Sequence, residues 1–86
     1  MLKIQRLVDG GGVVFALSGR IEAENLAQLD ALFQAERQRI TLDLKEVNLV
    51  SREVVTYLAR CKEGGIGLNN CPAYIREWIA RERGQG

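Results

Sequence analysis

Ile40-Thr41-Leu42-Asp43-Leu44, then Lys45-Glu46-Val47-Asn48-Leu49-Val50, then Ser51-Arg52-Glu53, is the stretch on which the fold turns. Its first five residues alternate, with Ile40, Leu42 and Leu44 on one side and Thr41 and Asp43 on the other, the period of a strand with one buried face. The next six read as a connection. Ser51 has the chemistry of a helix N-cap, because a hydroxyl there can accept one of the backbone N–H groups that a helix start leaves unpaired. Glu53 falls in the first turn, where the helix dipole favours a carboxylate by a few tenths to about 1 kcal/mol. Val54, Val55, Leu58 and Ala59 then recur on one side of a helix that Gly64-Gly65 brings to an end near Glu63.

Upstream, residues 2–8 and 13–18 are apolar and β-branched, and Asp9-Gly10-Gly11-Gly12 between them supplies the positive-φ residues of a hairpin turn. From Glu22 to about Arg37, Leu26, Leu29, Leu32 and Phe33 recur at three- and four-residue steps, the stripe of an amphipathic helix. Downstream, Ile66-Gly67-Leu68-Asn69 reads as a short strand. Pro72 suits a first helical position, with Ile75, Trp78 and Ile79 the buried stripe of a last helix through about Arg83, and Gly84-Gln85-Gly86 a frayed end. The order is β-β-α-β-α-β-α, which predicts an α/β fold: a mixed β-sheet, right-handed crossovers and helices packed on one face. No repeat or linker divides the chain, so residues 1–86 form a single domain.

Composition narrows function further. The chain has 86 residues, 12 Lys plus Arg, 11 Asp plus Glu, two Cys and no His. A domain of this size holds a net stability on the order of 5–10 kcal/mol, which leaves little to support strained catalytic machinery. Without His there is no Ser-His-Asp or Cys-His catalysis and no imidazole metal ligand, and two cysteines cannot build a four-thiolate zinc site. No catalytic residue, metal or cofactor is expected. A formal charge of +1, spread evenly along the chain, argues against nucleic acid as a partner. No apolar run reaches the length of a membrane span or a signal sequence, so the expectation is a cytoplasmic protein with reduced cysteines at Cys61 and Cys71. Cys61 sits near the negative end of its helix, where a thiolate is disfavoured.

Val13-Val14-Phe15-Ala16-Leu17-Ser18-Gly19-Arg20-Ile21-Glu22, an amphipathic helix, and Leu42-Asp43-Leu44-Lys45-Glu46-Val47-Asn48-Leu49-Val50 leading into a second helix together resemble the STAS domain (sulfate transporter and anti-sigma factor antagonist) over roughly residues 2–80. The resemblance implies a mixed sheet backed by helices. It further implies a protein-binding module of bacterial signalling that contacts an anti-sigma factor, serine kinase or sensor protein through the loop before the second helix and that helix's N-terminus. In the family the partner phosphorylates a Ser at the start of this helix. Aligned without gaps on Asp43-Leu44 and Val47, the family's Asp-Ser-Ser-Gly falls on Ser51-Arg52-Glu53-Val54, so Glu53 occupies the phosphoacceptor position and the standard switch is absent. The chain looks still more like a branch of small bacterial STAS-like proteins in which this helix opens Asp-Arg-Glu and the chain closes as Asn70-Cys71-Pro72-Ala73-Tyr74-Ile75-Arg76-Glu77-Trp78-Ile79 does. There Ser51 replaces the acid.

The resemblance thus singles out Glu22, Asn48, Ser51, Arg52 and Glu53 as partner-binding residues, with two readings open at several of them. Glu53 either mimics a phosphoserine in part, with one charge and two oxygens against −1.5 to −2 and three, or simply complements the helix dipole. Ser51 is an N-cap or a displaced phosphoacceptor. Glu22 is a recognition acid or a solvated residue opening the first helix, and Asp43, on the less apolar side of its strand, is expected to hold the following loop through backbone hydrogen bonds. Tyr74 and Trp78 read as core packing, or as an exposed aromatic anchor. The alternative for the whole chain is a nucleotide- or lipid-sensing module, or a homo-oligomerisation unit, of the same fold.

Overall fold

Gly10 and Gly11 both take positive φ, +52° and +94°, the backbone of a two-residue hairpin turn whose twist matches that of the strands it joins. In the computed structural model, which describes residues 1–84, this turn joins β1 (Leu2–Asp9) to β2 (Gly12–Ile21) in antiparallel register from Asp9 opposite Gly12 to Leu2 opposite Gly19. A 3-10 turn over Ala23–Asn25 leads into α1 (Leu26–Gln34). There follow β3 (Arg39–Val50), α2 (Arg52–Glu63), β4 (Gly67–Asn69) and α3 (Ala73–Gly84). The sheet is mixed, in spatial order β1-β2-β3-β4, with β2, β3 and β4 parallel.

The alternation read in the sequence decides which face the helices cover. Val13, Phe15 and Leu17 of β2 and Ile40, Leu42 and Leu44 of β3 are buried, and they share one core with Leu29 and Phe33 of α1, Val54, Val55 and Leu58 of α2, and Ile75 and Ile79 of α3. Phe15 and Phe33 meet with ring centroids 5.2 Å apart, tying the first helix to the second strand. The opposite face, with Lys3, Gln5, Ala16, Ser18 and Asp43, contributes nothing to that core.

The largest departure from the sequence reading lies at residues 45–50, expected as a connection and found as strand. Against β2, Ala16 opposes Asp43 but Ser18 opposes Glu46, and Gly19 opposes Val47 but Arg20 opposes Leu49. Each step inserts one extra residue into β3. These two β-bulges convert the burial period from two to three, so that Leu44, Val47 and Val50 point inward with two exposed residues after each of the first two. The strand pattern is hidden in the sequence for that reason alone.

Smaller differences have equally local causes. The first helix is shorter than its apolar stripe, because its first turn winds as 3-10 and it stops at Gln34, and Leu26 and Leu32 are only partly buried. Ile66 falls outside β4. Pro72 stands one residue before the last helix and accepts its first backbone bonds, from the Ile75 and Arg76 N–H groups at 3.0 and 2.9 Å. Tyr74 is exposed rather than in the core, while Trp78 packs against it. Gly84 still belongs to α3, and the rest of the expected frayed end, residues 85–86, lies outside the described residues.

Candidate functional site at the carboxyl ends of the parallel strands

Ile21 opposes Val50 in the parallel β2-β3 pair, so Glu22 and Ser51, the residues that follow them, leave the sheet side by side. In open α/β sheets this end, where chains turn from strand into helix, is where recognition residues collect. The second bulge places Asn48 and Leu49 there as well, both exposed, and Arg52 and Glu53 open α2 on the solvent side. The five residues singled out by the sequence therefore sit on one end of the fold. The strand β3, rather than a loop, carries Asn48.

Each residue is held differently. Glu22 occupies the N-cap position of the 3-10 turn, where its backbone N–H donates to Asn25 Oδ1 at 2.9 Å in a reciprocal capping box. Its carboxylate receives Arg20 Nη1 at 3.3 Å. The Glu22 carboxyl is held below its ordinary range, first by a hydrogen bond with the Glu24 carboxyl and then by Arg20, while the same contact pushes Glu24 up. Glu53 lies in the first turn of α2, where the helix dipole complements it.

Ser51 has the extended backbone of an N-cap, φ −94° and ψ 172°, and its carbonyl accepts the Val55 N–H at 3.0 Å. Its hydroxyl does not make the expected cap bond. Oγ is buried and has no hydrogen-bond partner among the described residues. The backbone reading of Ser51 is right and the side-chain reading is not, because the buried hydroxyl bonds to none of the N–H groups that the helix start leaves unpaired. A hydroxyl in this position offers no exposed oxygen to a phosphate donor.

Arg52 links the site to the last helix through Nε to Glu82 Oε1, 3.2 Å, and with Trp78, Arg81 and Glu82 it borders a shallow depression of about 290 Å³. Away from this end, Asp43 braces the backbone: its Oδ1 accepts the Lys45 N–H at 3.1 Å and Asn70 Nδ2 at 3.2 Å. Asn70 has φ +53°, so this contact also steadies a left-handed residue between β4 and α3.

One residue of this end escaped the sequence reading. Leu49 is 49% exposed and faces Arg20 across the strands. The signal was present, since the three-residue spacing of Leu44, Val47 and Val50 leaves Leu49 pointing outward.

Neither thiol is activated. Burial, more than any other cause, raises both Cys61 and Cys71 above the ordinary thiol range; at Cys61 a hydrogen bond with Tyr57 opposes it and Asp30 adds to it, and at Cys71 Arg76 and Lys62 oppose it. Among the described residues no group of three or more His, Cys, Asp or Glu is placed to hold a metal ion, and no helix is long and apolar enough to cross a membrane. What this end can do chemically is offer charge, an amide and an exposed Leu to another surface. No family model matches the chain, and no curated protein matches it.

Proposed function

We propose that this chain is a non-catalytic protein-interaction module of cytoplasmic bacterial signalling, of STAS type, which contacts an anti-sigma factor or serine kinase through the end of β3 and the N-terminus of α2. The observation that carries the reading is the convergence of Glu22, Asn48, Arg52 and Glu53 at the carboxyl end of the parallel pair, beside an exposed Leu49. Polar residues around an apolar contact suit a protein surface. The standard phosphorylation switch is absent in this reading, because Glu53 stands at the acceptor position and the Ser51 hydroxyl is buried. Contact, rather than covalent modification, then sets the signalling state.

The test is a calorimetric titration against a serine kinase or anti-sigma factor from the same host, with the wild type, Glu53→Ala and Arg52→Ala. Truncating an interface residue that matters costs more than about 1 kcal/mol, so each variant should weaken binding by roughly fivefold or more. Affinity unchanged in both would remove this end of the fold from the interface.

A further inference from the structure

The outer edge of β1 carries a pattern that the proposed interaction site does not use. β1 pairs with β2 alone and stands first in the sheet, so its second edge is open. The two-residue turn fixes which backbone groups face that edge. Asp9 and Gly12 flank the turn and pair with each other, so the alternation of the antiparallel ladder gives Leu7, Gln5 and Lys3 to β2 and aims the N–H and C=O groups of Val8, Arg6, Ile4 and Leu2 outward. The strand has no proline and no bulge to blunt it. Leu7 and Val8, 45% and 65% exposed, are two of the five large apolar residues left in solvent among the described residues. An edge of this kind is a template for another strand.

We infer that the β1 edge pairs antiparallel with the β1 edge of a second copy, joining the two sheets across a two-fold axis at Arg6. In this register Ile4 opposes Val8 of the partner subunit, which covers the more exposed of the two apolar residues. On the open face Lys3 opposes the partner's Asp9, and by symmetry Asp9 opposes the partner's Lys3, so the strand supplies both halves of two cross-strand ion pairs. Arg6 meets its own copy on the axis. That juxtaposition is tolerated because each Arg6 is already neutralised within its own chain by Glu36, Nε to Oε2 2.7 Å and Nη2 to Oε1 3.1 Å. Sliding the partner by two residues sets Lys3 against Leu7 instead and removes both ion pairs. The occupant that this edge fits is therefore a second copy of the same chain, as isologous pairing requires.

Sedimentation equilibrium on the full chain tests the pairing. An edge of eight residues is a small interface, so a dimer with a dissociation constant of about 10–300 µM is expected. Lys3→Glu sets two like-charged pairs face to face and should weaken the dimer by about tenfold or more, as should Asp9→Lys. The double variant Lys3→Glu/Asp9→Lys restores opposite charges and should return the affinity to within about threefold of the wild type. Val8→Pro deletes an outward N–H and no intramolecular ladder bond, and should abolish the dimer; if that variant does not fold by circular dichroism, the charge series carries the test. A chain that stays monomeric to about 1 mM overturns the inference, whether or not its edge captures an extended peptide of another sequence. So does a dimer whose affinity is the same in Lys3→Glu as in the wild type.

Discussion

Ser51→Ala separates two accounts of how α2 begins. A Ser that caps a helix through its hydroxyl loses about 0.5–2 kcal/mol on replacement by Ala. Here Oγ is buried and bonds to none of the described residues, so no cap bond is there to lose. What Ala removes instead is a hydroxyl taken out of water without compensation, a burden of about 1–3 kcal/mol in mutational series. Part of that gain is offset, because Ala leaves a small gap where the oxygen was. The net expectation is a change between zero and about 1 kcal/mol of stabilisation. Urea denaturation followed by circular dichroism measures it: for a domain of this size the slope lies near 1 kcal/mol/M, so the midpoint should stay or rise by up to about 1 M. The thermal midpoint should rise by at most about 8 °C. A loss of 1 kcal/mol or more, at unchanged slope, would refute the reasoning and return Ser51 to the capping role.

Gly19 holds φ +93°, and a Cβ placed there would collide with the Met1 carbonyl oxygen, so Gly19→Ala should cost about 1–3 kcal/mol in the same denaturation assay; a cost under about 0.5 kcal/mol would mean that β1 shifts freely at its start. Glu36 lies beside Arg6 with its side chain only 14% exposed, and the guanidinium holds its carboxyl below the ordinary 4.5. A depressed carboxyl stabilises the fold above its unfolded pKa and stops doing so as pH falls through the folded one. Glu36→Gln should therefore melt earlier than wild type at pH 7 and converge with it in acid, and a difference that does not change with pH would remove the ion pair as its cause. Cys61 is buried and Cys71 partly open, so at pH 8 a thiol reagent should label Cys71 slowly and Cys61 only at the rate of unfolding, read by intact mass. Equal rates in the native protein would contradict that burial.

Much of the fold is legible where a single physical rule acts alone. Alternation identifies Ile40, Leu42 and Leu44 as an inward face, two consecutive glycines identify the hairpin, and Gly64-Gly65 marks the end of α2. Reading fails where two rules act together. Residues 45–50 obey strand pairing and bulge insertion at once, and their sum has no simple period. Tyr74 shares a helix with buried Ile75 and Ile79 yet points to solvent, because helix phase, and not aromatic character, decides the matter. At the candidate site the residues singled out in the sequence lie together at one end of the fold. The sequence could not place their side-chain atoms, since the burial of the Ser51 hydroxyl and the pairings of Arg52 with Glu82 and Glu22 with Arg20 depend on neighbours distant in sequence or on the exact exit of the strand.

The bulged half of β3 carries one more consequence. Between Ala16 and Ile21 its neighbour β2 advances five residues while β3 advances seven, from Asp43 to Val50, so the strand stores two residues of spare length. A single-residue deletion at either bulge can be absorbed by straightening the strand, with Val50, Ser51 and α2 left in place against β2. The same deletion among residues 40–43 turns every later side chain to the wrong face. Length variation among descendants of this sequence should therefore be tolerated between 44 and 49 and purged just upstream, which makes this strand a place where evolution can move Asn48 and Leu49 relative to the helix start without rebuilding the core.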